Sequence, residues 1–333
     1  MEISEVYILL DIKKDCSLVI PISNPEKLGG LKTVNFFLVK QEKSLSLIDA
    51  GYNTDSHWEA LNLALNQNGL VLQDLTEIIL THHHIDHVGL VDRIVDAHPI
   101  PVYASPLSIP RLKRDKDFME LRVEFFEKLY YEMGCGETGE KQIAYLKKAL
   151  LRNKGKAMRA EITAITDNEF LGFTILEVPG HSPDQLAFLD QQRKQLFAGD
   201  LLIEHISSNA IVEPDENGSR LPTISQQIDS LNKCAAFHID SVFPGHGAVI
   251  QDPKALIHKR LERIEEKSEL ILRYIQSGHS TANEIAQVLY KNTYNEQFSL
   301  VMSEIIGHLD YLEAKKKVTM KKLQSICHYH VTV

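Results

Sequence analysis

Six consecutive residues, His82-His83-His84-Ile85-Asp86-His87, place four lone-pair donors, His82, His84, Asp86 and His87, in one short segment in the order H-x-H-x-D-H. Imidazole and carboxylate together suit zinc and other borderline divalent cations, which bind at about 2 Å and need a few rigidly placed groups. His83 falls between the ligand positions and is expected to point away from them, as a structural or surface imidazole. A histidine-rich tract can also be a surface cluster or a tag. A tag would be terminal, however, whereas this tract lies between an apolar run and a helical one. Later in the chain His181 (Val178-Pro179-Gly180-His181-Ser182), Asp200 (Phe197-Ala198-Gly199-Asp200) and His246 (Pro244-Gly245-His246-Gly247) each follow an apolar run and sit beside glycine. Glycine lets the backbone turn sharply and approach an ion closely, so each segment reads as a candidate ligand loop.

Taken in order over residues 30–250, these motifs resemble those of the metallo-β-lactamase superfamily. The resemblance implies that His82, His84 and His181 hold one divalent ion, that Asp86, His87 and His246 hold a second, and that Asp200 bridges the two. It also implies a role for Asp49 in Leu47-Ile48-Asp49-Ala50-Gly51, which matches an early Asp-Gly motif: accepting the second ring N–H of a ligand histidine and so orienting it. Read from the sequence alone, Asp49 is equally a turn residue that satisfies backbone amides. Two ions about 3.5–4 Å apart acidify a shared water, so the expected nucleophile is a hydroxide, with Asp86 as the catalytic proton acceptor. Zinc is the default metal for this ligand set, and manganese and iron also fit.

The surrounding pattern supplies elements to position these groups. Residues 5–11, 17–20, 34–39 and 45–49 read as short strands, residues 55–66 as a helix with Trp58, Leu61 and Leu65 on one face, and residues 78–81 as a strand ending at the histidines. A helix over 88–97 and a strand over 101–104 follow, and then a charged, helical, aromatic-rich insertion over about 105–160. Strands return at 173–178, 186–189, 196–198 and 241–243, with a helix over 224–236. The expected architecture is α/β, an αββα sandwich implied by the resemblance, occupying residues 1–253. Residues 254–333 read as a small winged-helix-like domain: a long helix to Gln276, a second opened by the Thr281–Glu284 capping box, a third over 298–314, and two strands after Lys317. Cys327-His328-Tyr329-His330 reads as a terminal strand with alternating faces and not as a further metal site.

Composition narrows the function. The 333 residues are 44% hydrophobic and 24% charged, with no apolar run near the roughly 20 residues that span a bilayer and no secretory start, so a cytoplasmic protein with no membrane partner is expected. Four scattered cysteines, without CxxC spacing, suggest free thiols. A net charge of −9 disfavours wrapping a polyanion.

Within the superfamily, the resemblance disfavours antibiotic hydrolysis, for which cysteine commonly stands at the position of Asp200, and redox chemistry, for which glutamate commonly stands at that of His84. Single-iron persulfide dioxygenases remain a minor alternative. It points instead to the branch of glyoxalase II, acyl-homoserine lactonases and a lactamase-like endoribonuclease. His205-Ile206-Ser207-Ser208-Asn209 looks like a segment of that branch with Ser208 in place of proline.

The preferred expectation is hydrolysis of a small ester, thioester or lactone, with Phe125, Phe126, Tyr130 and Tyr131 of the insertion covering an acyl group or else simply packing. One alternative is a phosphodiesterase acting on single-stranded RNA, gripped by Lys315, Lys316, Lys317, Lys321 and Lys322 of the C-terminal domain. Another is a metal-stabilised DNA-binding regulator. A homodimer through the C-terminal domain is a further option for partners.

Overall fold

The computed structural model describes residues 18–26 and 30–332, so the strand expected over 5–11 lies outside the described residues. Strands β1 (Leu18–Glu26), β2 (Lys32–Lys40) and β3 (Leu45–Ile48) form an antiparallel meander. Helix α1 (Asp55–Gln67) then crosses to β4 (Glu77–Ile79), which lies parallel to β3. Short helices α2 (Ile85–Val88) and α3 (Val91–Ala97) lead to β5 (Val102–Ala104). The insertion comprises α4 (Ile109–Leu112), α5 (Lys116–Glu132) and α6 (Gly136–Arg152), and the chain returns as β6 (Ile162–Ala164) to complete a sheet ordered β1 to β6.

The second sheet, ordered β11-β10-β9-β8-β7, is built from β7 (Glu169–Phe170), β8 (Phe173–Glu177), β9 (Leu186–Asp190), β10 (Gln195–Gly199) and, after helix α7 (Thr223–Ala235), β11 (Ser241–Pro244). Both sheets thus begin as antiparallel meanders and end with a helical crossover to a parallel strand. The order of elements recurs between the two sheets. Strands β6 and β7, only 3 and 2 residues long, carry too little alternation to be legible.

Buried side chains explain the layering. Phe37, Ile48 and Ile79 of the first sheet meet Phe188, Phe197 and Phe243 of the second, so the sheets pack face to face. Leu61 and Leu65 of α1 and Ile94 of α3 cover the outer face of the first sheet, and Leu231 and Cys234 of α7 cover that of the second. The result is the expected αββα sandwich.

After it come α8 (Pro253–Gln276), α9 (Ala282–Leu289), α10 (Phe298–Ala314) and a hairpin of β12 (Val318–Leu323) and β13 (Ile326–Val331). The insertion does not stand alone over the sandwich. Phe126, Leu129 and Tyr130 of α5 and Ile143 of α6 share one core with Ile271 and Ile275 of α8, Ile285 of α9, Leu309 of α10 and Tyr329 of β13. Phe126 and Tyr130 are therefore consumed by packing, with Phe125 against the same cluster, and only Tyr131 is well exposed. These aromatics follow the packing alternative, because they are wanted inside a second core. On β13, Cys327 and Tyr329 are buried while His330 is exposed, the alternation expected of a strand.

Candidate metal centre

The seven ligand-type side chains converge at one edge of the sandwich. His82, His84, Asp86 and His87 lie in the β4–α2 connection and the first turn of α2, His181 after β8, Asp200 after β10, and His246 after β11. Ligand atoms of His82, His84 and His181 lie within 4.8 Å of one another, as do those of His82, His87 and Asp200 and those of Asp86, His87 and His246. Asp200 touches both sides: its Oδ2 is 3.5 Å from His181 Nε2 and 3.2 Å from His246 Nε2, and its Oδ1 is 3.3 Å from His87 Nε2. The cluster is sunk in the protein, with His82, His87 and His246 fully buried.

The backbone is shaped for this convergence. A Cβ at Gly245 would stand 2.4 Å from Asp200 Oδ1 and 2.6 Å from His87 Cε1, so only glycine allows the loop of His246 to pass. Gly199 takes φ +51° to aim Asp200, the left-handed region that glycine enters freely.

Four of the five histidines of the cluster have a fixed acceptor for their second nitrogen. Asp49 Oδ2 accepts from His87 Nδ1 at 2.8 Å and from Thr81 Oγ1 at 2.8 Å, while Asp49 Oδ1 accepts from the Thr81 amide. The Thr81 hydroxyl, its hydrogen spent on Asp49, accepts from His82 Nδ1 at 3.0 Å. His181 Nδ1 donates to the Asn209 carbonyl at 2.9 Å, with Ser208 Oγ 3.0 Å away, and His246 Nδ1 donates to the Thr33 carbonyl at 2.7 Å. All four rings are thereby held with Nε2 facing inward as the lone-pair nitrogen.

The residues fit a divalent ion on their own geometry. His84 Nδ1 lies 2.9 Å from His82 Nε2 and 3.0 Å from His181 Nε2, so three nitrogens meet where at most one hydrogen can be shared; a cation accepts all three lone pairs. His87 Nε2, His246 Nε2 and Asp200 Oδ1 are buried and lack a hydrogen-bond partner, the condition that an ion would relieve.

The electrostatics agree. Burial, helped by His87 and His84 for His82 and by His83 and His181 for His84, holds both rings well below the usual range, so they are neutral and ready to ligate. Burial lowers His181 as well. Burial also opposes charge on His87 and His246, but Asp200 overrides it, holding His87 well above the usual range and raising His246 to about 9. Asp86, raised by burial and lowered more strongly by His87 and His246, is held at about 2 and stays a carboxylate. A negative field that binds protons this firmly is also one that a cation would satisfy.

Several supporting groups carry no local sequence signal. His83 turns aside as expected, to the buried Asp184 at 2.8 Å, where Ser182 and Ser108 also donate. Asn35 Nδ2 holds the His246 loop through the carbonyls of Pro244 and Gly247, and Ser208, standing where a proline was expected, touches His181. Asp184, Asn35 and Ser208 lie 27 to 212 residues from the groups they hold. The lysines proposed to grip RNA are largely engaged: Lys315 with Glu265, Lys317 with Glu269 and Lys322 with Glu132. Among the described residues no helix is long and apolar enough to cross a membrane.

Comparison with known proteins gives a consistent picture. Residues 29–246 match the profile of the metallo-beta-lactamase superfamily. The chain is 32% identical over 305 residues to "Probable metallo-hydrolase YqjP" of Bacillus subtilis (strain 168), covering 91% of this chain and 93% of the relative. It is 23% identical to the "Atrochrysone carboxyl ACP thioesterase" of Aspergillus fumigatus, covering 74% of this chain and 61% of that protein. A metallo-beta-lactamase family protein of Thermus thermophilus superposes with a TM-score of 0.76 at 22% identity, covering 94% of this chain and 98% of the other.

Proposed function

The chain belongs to the metallo-β-lactamase superfamily and is a metallo-hydrolase, and from that premise we propose that it hydrolyses a small ester, thioester or lactone at a centre of two divalent ions. The observation that carries the reading is the junction made by Asp200, whose two oxygens face both groups of histidines. His82, His84 and His181 would hold one ion, Asp86, His87 and His246 the other, and Asp200 would bridge them, with zinc as the default and manganese or iron as alternatives. When bound, such ions supply a water acidified to near neutral pH and positive charge for the oxyanion that develops on the substrate.

The chain's own residues do the rest. Asp49, Thr81, Asn209 and Thr33 fix the ring orientations, so little reorganisation is needed as charge develops. Asp86 stays ionised, is partly exposed, and lies 3.4 Å from His246 Nε2, a position from which it can accept a proton.

A carbonyl substrate is supported by the thioesterase among the relatives and by an apolar group at the rim: Ile85, between two ligand positions, is 69% exposed. Cleavage of RNA draws less support from lysines already paired with glutamates.

The test is elemental analysis of the untagged protein alongside assays on a thioester, a lactone, a bis-aryl phosphodiester and single-stranded RNA. About two equivalents of metal with turnover of a carbonyl substrate is the expected result, and Asp200→Ala is expected to abolish turnover with an unchanged circular dichroism spectrum. Cleavage of RNA alone, or full activity in Asp200→Ala, would overturn the reading.

A further inference from the structure

Behind the loop that holds His181 lies a cleft of about 670 Å³, between α7, the outward face of α8, α10 and residues 201–210. Its volume lies within the roughly 300–1,000 Å³ of small-molecule sites. It is distinct from the metal centre: its lining includes none of the seven ligand-type residues but does include Ser208 and Asn209, which touch the Nδ1 side of His181, whereas the ligand-facing Nε2 points the other way.

The lining has two halves. Leu201, Ile224, Leu231, Ile264 and Leu270 make an apolar floor. Arg260, Arg263, Lys267 and Arg273 of α8 make a basic wall; among the described residues its acids are Glu266 and Glu304, and Glu304 is already engaged by Lys267 and Tyr290. Arg260 is 6% exposed. One of its amino groups donates to the carbonyls of Ile203, Glu204 and Ile206, and among the described residues no carboxylate pairs with it. Burial, and after it the charge of Arg263, lowers its pKa, as expected of two guanidinium groups with no acid between them.

Arg260, although more than nine-tenths buried, has its Nε without a hydrogen-bond partner. A buried guanidinium without a paired carboxylate is a condition that an anionic ligand would relieve.

We propose that this cleft binds a small amphipathic anion, a carboxylate on an aliphatic tail. The head meets Arg260 and Arg263, and the tail covers the floor. The site lies outside the hydrolytic centre proposed above and does not depend on its substrate.

The test is isothermal titration calorimetry of the full-length protein with decanoate. One saturable site is expected. The methyl ester of the probe is expected to bind at least tenfold more weakly, and so is the probe itself to Arg263→Glu, a substitution on an exposed side chain that leaves the fold intact. Ile264→Trp, which fills the cleft, is expected to abolish binding, and Asp86→Ala to leave it unchanged. Absence of saturable heat, equal affinity of the ester or of Arg263→Glu, or retention of binding in Ile264→Trp would overturn the proposal. So would loss of binding in Asp86→Ala, which would place the anion at the metal centre.

Discussion

Asp49 accepts from His87, from the Thr81 hydroxyl and from the Thr81 amide, so one carboxylate fixes two rings, His87 directly and His82 through Thr81. Its backbone sits at φ 59°, a left-handed conformation that Asp and Asn tolerate better than other side-chain-bearing residues, so Asp49→Asn preserves the turn while removing the charge. Affinity for divalent metal is expected to fall about 10–100-fold in that variant. A chelator competition titration measures this, and unchanged affinity would leave Asp49 as a turn residue only. Asp200 and its neighbours also set a pH dependence. Despite burial, Asp200 raises His246 to about 9 and holds His87 well above the usual range. A metal must displace those protons, so its apparent affinity should weaken as pH falls below about 9, by up to roughly tenfold per unit for each proton displaced. Proton release measured in two buffers of different ionisation enthalpy checks the sign; uptake of protons on metal binding would contradict it. At this scale the centre was legible because H-x-H-x-D-H is contiguous and the three later ligands each sit beside glycine after a strand. Asp184, Thr33 and Ser208 were not legible, since the partner that gives each its role is distant in the chain.

Elements were readable where their bonds are local. Thr281 Oγ1 accepts from the Glu284 amide while the Glu284 carboxylate takes the amides of Ser280 and Thr281, a closed exchange within five residues that the sequence displays outright. Thr281→Ala should therefore cost about 1 kcal/mol of stability. Urea unfolding at fixed metal loading measures it, and a loss below about 0.3 kcal/mol would mean that the Glu284 half of the exchange suffices. The helix expected over 88–97 shows the opposite case. It starts earlier and is interrupted, because the Gly89 amide donates to Gly51 O at 2.7 Å and the Leu90 amide to Ala50 O at 3.1 Å, tying the chain to the Asp49 loop between α2 and α3. Helical periodicity cannot foresee a bond to a loop some 40 residues upstream, and that bond keeps the ligand-bearing turn of α2 seated against Asp49.

At the scale of the molecule, a chain 44% hydrophobic promises cores but not how they are divided. Sequence order places the insertion inside the first 253 residues and the last three helices outside them, yet Phe126, Leu129 and Ile143 lie in one core with Ile271, Ile275, Ile305 and Leu309. Helix α8 belongs to both bodies: Ile257, near its start, packs against the second sheet, while Ile271 and Ile275, near its end, enter the shared core. The insertion and the C-terminal elements should therefore be stable only together. Leu309 is fully buried at the centre of α10, and Leu309→Ala should cost about 2–5 kcal/mol, the range for a large-to-small change in a tight core. The location of the loss is the sharper test. Hydrogen exchange should show protection falling together in α5, α6, α9 and α10, while β2, β3, β9 and β10 in the sandwich keep theirs, because local opening follows cooperative units and not chain order. If α5 and α6 kept wild-type protection while α9 and α10 opened, the insertion would be anchored by the sandwich alone. The common core would then be a contact without cooperativity.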